Sequence, residues 1–168
     1  MKTDDLIKTR ISGLKSCSHL FYDFDGVMTD NTVIMDEHGI ESVRVNRSDG
    51  LAISELKKMG FVQAILSSEK NNVVSMRAEK LGIPCMQGLE DKKSAFLNYC
   101  TESGINPELC VFVGNDINDL EVMNSVGYPI CPSDAHSKII SISRIVLNTK
   151  GGNGVIRELL DLISNNHK

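Results

Sequence analysis

The chain has 168 residues, 41% hydrophobic and 24% charged, with a formal net charge of −4. That length suits one domain with its own core. The acidic balance excludes a general attraction to nucleic acid, so an anionic ligand would have to be drawn by local cations.

Apolar runs all fall short of the ~20 residues of a membrane-spanning helix, and Met1-Lys2-Thr3-Asp4-Asp5 lacks the apolar region of a secretory leader. Five scattered cysteines without a CxxC pair argue against a disulfide framework or a zinc site and fit a reducing cytoplasm.

Residues 3–15 carry Leu6, Ile7, Ile11 and Leu14 at helical spacing, behind a cap at Thr3 or Asp4. A strand is predicted from about His19 to Phe24, where an apolar run meets Asp23-Phe24-Asp25-Gly26. Side chains alternate along a strand, so Asp23 and Asp25 would share a face if it continued, but Gly26 marks a turn. Acids this close raise each other's pKa unless a cation or a proton lies between them. Two chemistries fit. A hard cation such as Mg2+ takes oxygen ligands; alternatively, one Asp is a nucleophile and the other a proton donor. Asp as a turn-capping residue is the structural alternative.

Thr32–Met35 and Glu41–Val45 are β-rich and joined by Asp36-Glu37-His38-Gly39, which predicts a hairpin over about 32–46. Helices and strands then alternate. Helices are expected over Ser48–Met59, Asn71–Leu81, Lys92–Glu102, Asp116–Ser125, 134–141 and Val155 to about Ile163. Strands are expected over Phe61–Leu66, Ile83–Met86, Leu109–Val113, Tyr128–Ile130 and Arg144–Leu147. Continuously apolar strands separated by helices mean a parallel sheet covered on both faces. The expected fold is therefore α/β, a Rossmann-like doubly wound sheet forming one domain over 1–168. The insert between Asp30 and Asp49 has room for the hairpin and for no cap domain.

Polar groups follow the main strands, where ligands bind in open α/β sheets. Ser67 follows Leu66 and could donate to a phosphate oxygen or cap a helix. Lys92 and Lys93 follow Gly88-Leu89-Glu90-Asp91, and Asn115, Asp116 and Asp119 follow the most apolar strand.

The stretch Asp23-Phe24-Asp25-Gly26-Val27-Met28-Thr29-Asp30 resembles the first motif of the haloacid dehalogenase superfamily of phosphohydrolases. It is most similar to the small capless branch acting on 3-deoxy-2-keto sugar acid phosphates, and the resemblance runs from about Ser18 to Leu162. It implies that Asp23 is the nucleophile, Asp25 the general acid and base, and that Ser67 and Lys92 bind the phosphoryl group. Mg2+ is implied, held by Asp23, the Asp25 carbonyl and a third ligand among Asn115, Asp116 and Asp119. The family often has an acid at the position of Asn115, and an uncharged amide should hold the cation more weakly.

For the substrate, Glu69 and Lys80 look like the nine-carbon branch (2-keto-3-deoxynononate or sialic acid 9-phosphate), with 3-deoxy-D-manno-octulosonate 8-phosphate as the alternative. Arg47, Asp49 and Gly50 match a motif at the site entrance, with Arg44 or Arg47 suited to a carboxylate. Arg157 follows the glycine-rich Gly151-Gly152-Asn153-Gly154 as a further anion contact. An open, capless site implies closure by a neighbouring subunit, and the family's hairpin implies a homotetramer. A non-catalytic module of the kind fused to some CMP-sialic acid synthetases would have lost the acidic pair. A phosphorelay receiver would lack the second acid two residues on.

Overall fold

The computed structural model describes residues 13–165. The helix expected over 3–15 lies largely outside them, and Gly13–Ser16 form a single 3-10 turn. Six strands make one parallel sheet: β1 His19–Tyr22, β4 Val62–Leu66, β5 Cys85–Met86, β6 Cys110–Val113, β7 Tyr128–Cys131 and β8 Ile145–Val146, in the order β5-β4-β1-β6-β7-β8. The helices are α1 Arg47–Lys58, α2 Val73–Leu81, α3 Lys92–Ser103, α4 Leu120–Met123, α5 Ser137–Ile142 and α6 Val155–Asn165.

The two-residue period of the strands divides the core in two. Leu20 and Tyr22 of β1, Ile65 of β4, and Val111 and Val113 of β6 pack with Ala52, Ile53 and Leu56 of α1 and Ile156, Leu159 and Ile163 of α6. Phe21, Ala64, Leu66, Cys110 and Phe112 face the other way, onto Phe96 and Cys100 of α3, Val122 and Met123 of α4 and Ile139 of α5. Every one of these strand residues is apolar because both faces are covered.

The register places the site. Tyr22 lies opposite Ile65 on one side and Val113 on the other. The residues just past those pairs, Asp23, Ser67, Gly114 and Asn115, therefore emerge together at the C-terminal edge of the sheet.

Three local expectations are corrected. Helix α1 starts at Arg47 because Asn46 caps it, its Oδ1 accepting from the Ser48 amide at 2.8 Å. Asp49 instead accepts from the amides of Ile156 and Arg157 at 3.0 and 3.1 Å, holding the start of α6 from more than a hundred residues away. The helix expected over 116–125 is a 3-10 turn, Ile117–Asp119, followed by the short α4. The Asp119 carboxylate folds back onto the Asn115 and Asp116 amides and tightens that first turn.

The hairpin is shorter than expected: β2 Ile34–Met35 pairs antiparallel with β3 Glu41–Ser42. The Asp36 carboxylate ties its turn by accepting from the His38 and Ile40 amides, both at 2.9 Å. Val33, Ile34, Met35 and Ile40 are all more than half exposed. With these four side chains facing solvent, the paired strands gain little by extending.

Candidate active site

Asp23 sits at the end of β1, 3% exposed, between its neighbours' strand ends. Its Oδ1 accepts from the Phe24 amide at 2.7 Å and lies 2.7 Å from the Lys92 ammonium. Lys92 opens α3 behind its cap Asp91, is equally buried, and also donates to Asp119 Oδ1 at 2.7 Å. Two carboxylates thus share one ammonium in a nearly dry place. Burial pushes the Asp23 carboxyl well above its ordinary range, the Asp119 charge pushes it further, and Lys92 pulls it back. Lys92 is raised by the same two partners against the opposing effect of burial. A Lys with two acids around it keeps its charge and has one donor left for a third anion.

On the other side of Asp23 the Asn115 side-chain amide meets two acceptors. Its NH2 donates to the Asp25 carbonyl at 2.8 Å and to Asp23 Oδ2 at 3.3 Å. Turned over, the same amide would present its oxygen to a cation lying between these groups. A carboxylate, a carbonyl and an amide oxygen are ligands a hard cation takes. The described residues hold no cluster of three or more His, Cys, Asp and Glu suited to a metal, so a cation here would rest on this mixed oxygen set. Gly26 permits the arrangement. Its φ is 79°, and a Cβ there would lie 2.0 Å from the Asn115 side-chain amide.

The candidate ligands at the end of β6 separate cleanly. Asn115 is buried and turned to the acidic pair. Asp119 spends Oδ1 on Lys92 and Oδ2 on the amides of Asn115 and Asp116. Asp116 lines the pocket but gives Oδ1 to the Ile117 amide at 2.7 Å. Asp119 is therefore a support behind Lys92 and has no oxygen facing the cavity.

Asp25 is half-buried, with Thr29 Oγ1 donating to its Oδ1 at 3.4 Å. Burial raises its pKa, and the neighbouring Glu69 charge raises it further. Ser67 is 2% exposed; its Oγ accepts from the Glu69 amide at 3.1 Å, which leaves the hydroxyl proton free, and it caps no helix.

Asp23, Asp25, Ser67 and Asn115 line a cavity of about 460 Å3 with Asn31, Ser68, Glu69, Asp116 and Asn118, and Lys92 lies behind Asp23, outside that lining. A second cavity of about 220 Å3 shares Asp25, Asn31 and Glu69 with it and runs out to Val33, Glu41 and Val43 of the hairpin segment and to Asn71 and Val73.

The residues expected to contact substrate fare unevenly. Glu69 lines both cavities, whereas Arg44, Arg47, Asp49, Gly50, Lys80 and Arg157 line neither. Arg44 pairs with Asp30 at 2.8 Å. Lys80 lies in the last turn of α2, whose opposite end carries the cavity-lining Val73. Arg157 gives its amide to Asp49. The glycine-rich segment acts on the backbone: Gly151 and Gly152 pack directly against the turn after Asp25. The Gly152 amide donates to the Val27 carbonyl at 3.0 Å, and a Cβ at Gly151 would sit 2.2 Å from the Gly26 oxygen.

Sequence reasoning passed over Asn31, Glu41, Ser68, Asn71 and Asn118. Only Asn31 carried a local signal, because Asn is the residue after Gly that best tolerates positive φ, and here its φ is 64°.

Residues 43–159 match the profile of haloacid dehalogenase-like hydrolases. The chain belongs to that family. It is 34% identical over 145 residues to the 3-deoxy-D-manno-octulosonate 8-phosphate phosphatase of Yersinia pestis, a match covering 86% of this chain and 78% of that protein. Among solved structures, it is similar to the 3-deoxy-D-manno-octulosonate 8-phosphate phosphatase of Moraxella catarrhalis in complex with magnesium, phosphate and KDO. That likeness has a TM-score of 0.90 and 28% identity over 95% of this chain and 92% of that one. A haloacid dehalogenase family hydrolase from Streptomyces avermitilis is 42% identical, with a TM-score of 0.87 and coverage of 89% and 86%. The six-stranded parallel sheet with helices on both faces is the fold these hydrolases share with this chain.

Proposed function

We propose that the chain is a Mg2+-dependent phosphatase that cleaves a 2-keto-3-deoxy sugar acid phosphate through an aspartyl-phosphate on Asp23. The observation carrying this reading is one buried carboxylate held between the Lys92 ammonium on one side and, on the other, the Asn115 amide that also reaches the Asp25 carbonyl. In this reading Asp23 attacks phosphorus in line as the bond to the sugar oxygen breaks. Asp25, whose pKa burial and the Glu69 charge raise, gives its proton to the departing oxygen. It then takes a proton from the water that attacks the phosphoryl group, which frees phosphate and restores Asp23. Ser67 and the remaining Lys92 proton hold the equatorial oxygens.

Asp23, the Asp25 carbonyl and Asn115 would hold Mg2+, which when bound supplies positive charge against the phosphate and the transition state. The need is electrostatic: Asp23, Asp25, Glu69 and Asp116 line the cavity, and Lys92 is already shared by two acids.

For the substrate, the eight-carbon octulosonate 8-phosphate now stands ahead of the nine-carbon acids. The curated relatives bear that name, and Lys80, half of the support for nine carbons, lies away from both cavities. A cytoplasmic homotetramer is part of the same proposal, supported by the exposed apolar hairpin and tested by light scattering on the full chain. No helix among the described residues is long and apolar enough to cross a membrane.

The test is phosphate release with Mg2+ from octulosonate 8-phosphate, 2-keto-3-deoxynononate 9-phosphate and sialic acid 9-phosphate, repeated after chelation. The reading expects fastest turnover on the first and loss of turnover on chelation. Preference for a nine-carbon acid would restore the other branch, and no release from any of them by folded, Mg2+-loaded protein would reject the phosphatase reading.

A further inference from the structure

We infer that Asn31 is a specificity-determining residue, whose side-chain amide reads a hydroxyl on the polyhydroxylated leaving group as it passes from the inner cavity to the outer one. This rests on the phosphatase reading above and adds to it where the leaving group lies and what recognises it.

Three observations converge on this residue. First, Asn31 lies on the seam: with Asp25 and Glu69 it lines both cavities. The proton donor Asp25 must face the ester oxygen, so the carbon chain attached to that oxygen continues past Asp25 into the outer cavity.

Second, its backbone is held where side chains rarely go. Asn31 has the one positive φ among described residues other than glycine, 64°. Its amide donates to Thr29 Oγ1, the same hydroxyl that donates to Asp25. Such backbone strain collects at ligand sites, where the surrounding structure holds it in place. Here it fixes an exposed side chain beside the acid.

Third, its side-chain amide makes no hydrogen bond among the described residues, in a cavity otherwise furnished with acceptors. The outer lining contains no Lys, Arg or His. Glu69 Oε1 accepts from the Lys70 and Asn71 amides. Asn71, the other amide there, is occupied at both ends: its nitrogen donates to Glu41 Oε2 at 3.3 Å and its oxygen accepts from the Val73 amide at 3.0 Å. What remains for a ligand is the Asp25 carboxyl at the seam, one carboxylate oxygen each on Glu41 and Glu69, the Asn31 amide, and the apolar walls of Val33, Val43 and Val73.

That surface matches a chain of carbons bearing hydroxyls. The hydroxyl protons go to the carboxylates, a hydroxyl oxygen accepts from Asn31, and the C–H faces lie on valine. It does not match a second anion, so the carboxylate of a sugar acid must point out of this cavity.

The experiment compares Asn31→Gly with wild type on two substrates under Mg2+. One is whichever sugar acid phosphate the wild type cleaves fastest; the other is 4-nitrophenyl phosphate, whose leaving group has no aliphatic hydroxyl. Glycine suits positive φ, so melting temperature should hold or rise. The inference expects kcat/KM to fall about tenfold on the sugar acid phosphate, the worth of one hydrogen bond to the transition state. On 4-nitrophenyl phosphate it should be unchanged. A second variant, Glu41→Gln, should lower the same ratio by a smaller factor.

An equal fall on both substrates would mean that Asn31 only shapes the Asp25 turn, and no fall on either would remove it from recognition; both outcomes overturn the inference. The phosphatase reading fails separately, in wild type, if neither substrate releases phosphate. Cleavage of 4-nitrophenyl phosphate alone would reject the sugar-acid reading and the inference together.

Discussion

The inner and outer halves of the pocket are built in opposite ways. At the inner end, Asp23, Lys92 and Asp119 are buried and tied together: Lys92 lies 2.7 Å from each carboxylate, and the two carboxylates also accept from the Phe24 and Asn115 amides. At the outer end, Asn31 and the hairpin are exposed, joined by few bonds, and fixed by a strained backbone rather than by packing. Chemistry that must handle a dianion needs dipoles that do not reorganise. Recognition of a leaving group is served by a surface that can be altered without disturbing the fold. The difference therefore predicts that inner substitutions cost turnover and stability together, while outer ones alter selectivity or pH dependence and leave stability unchanged.

The largest effect should come from Asp23→Asn. Steady-state phosphate release is expected to fall on the order of 10^4-fold or more, as when a nucleophile is removed, with circular dichroism unchanged. Full turnover in that variant would end the comparison, because the inner half would then hold no nucleophile.

Lys92→Met comes next. It leaves Asp23 and Asp119 buried without their shared cation, and losing one partner of such a cluster costs about 3–5 kcal/mol. Denaturant unfolding should show that loss, largest at high pH where both acids are charged. A change under about 1 kcal/mol, no more than an exposed ion pair is worth, would place the site in wetter surroundings than the structure has.

Asp49 tests whether the inner half has supports beyond the pocket. Burial raises its carboxyl to about 6, against the pull of two amide hydrogen bonds and the Arg77 and Arg157 charges. Its Oδ2 is buried without a partner, and its charge is felt by the Tyr22 hydroxyl. The folded state thus holds a proton that the unfolded chain, near 3.9, has already released. This contribution to stability is complete below about pH 4 and is lost as pH rises through about 6, by roughly 2–3 kcal/mol. Asp49→Asn should flatten that part of the profile. An unchanged slope would mean the group titrates elsewhere in pH.

The smallest effect belongs to the outer half. Glu69→Gln removes the nearest charge raising the Asp25 pKa, so the alkaline limb of the pH–rate profile should shift to lower pH with stability unaltered. A shift the other way would remove Asp25 as the acid.

What could be read from residues alone follows the same division. The inner site was legible because each of its groups directly follows an apolar strand or opens a helix: Asp23 after Phe21-Tyr22, Ser67 after Ile65-Leu66, Lys92 in place of Lys93. Those are local patterns, and parallel pairing brings their ends to one edge.

The partners were not legible. That Asp49 serves α6, or that Asp119 turns back to Lys92 and two amides, depends on contacts between distant segments. Gly151 and Gly152 pack against the turn after Asp25, while Asn46 and Asp49 bond to Gly152 and the start of α6. Motif order alone does not distinguish lining a pocket from holding its wall. The outer half was least legible, since Glu41, Asn31 and Asn71 meet only after the hairpin folds back over α2.

The most direct measurement is to trap the phosphorylated enzyme. Asp25→Asn, loaded with Mg2+ and given 4-nitrophenyl phosphate, can still accept a phosphoryl group, because that leaving group needs no proton. It cannot activate the water that removes the group. Acid quench and mass spectrometry should then find one phosphoryl group per chain, on the peptide containing Asp23. Steady phosphate release without any phosphorylated chain, or a phosphoryl group on another residue, would contradict the assignment of Asp23 as nucleophile.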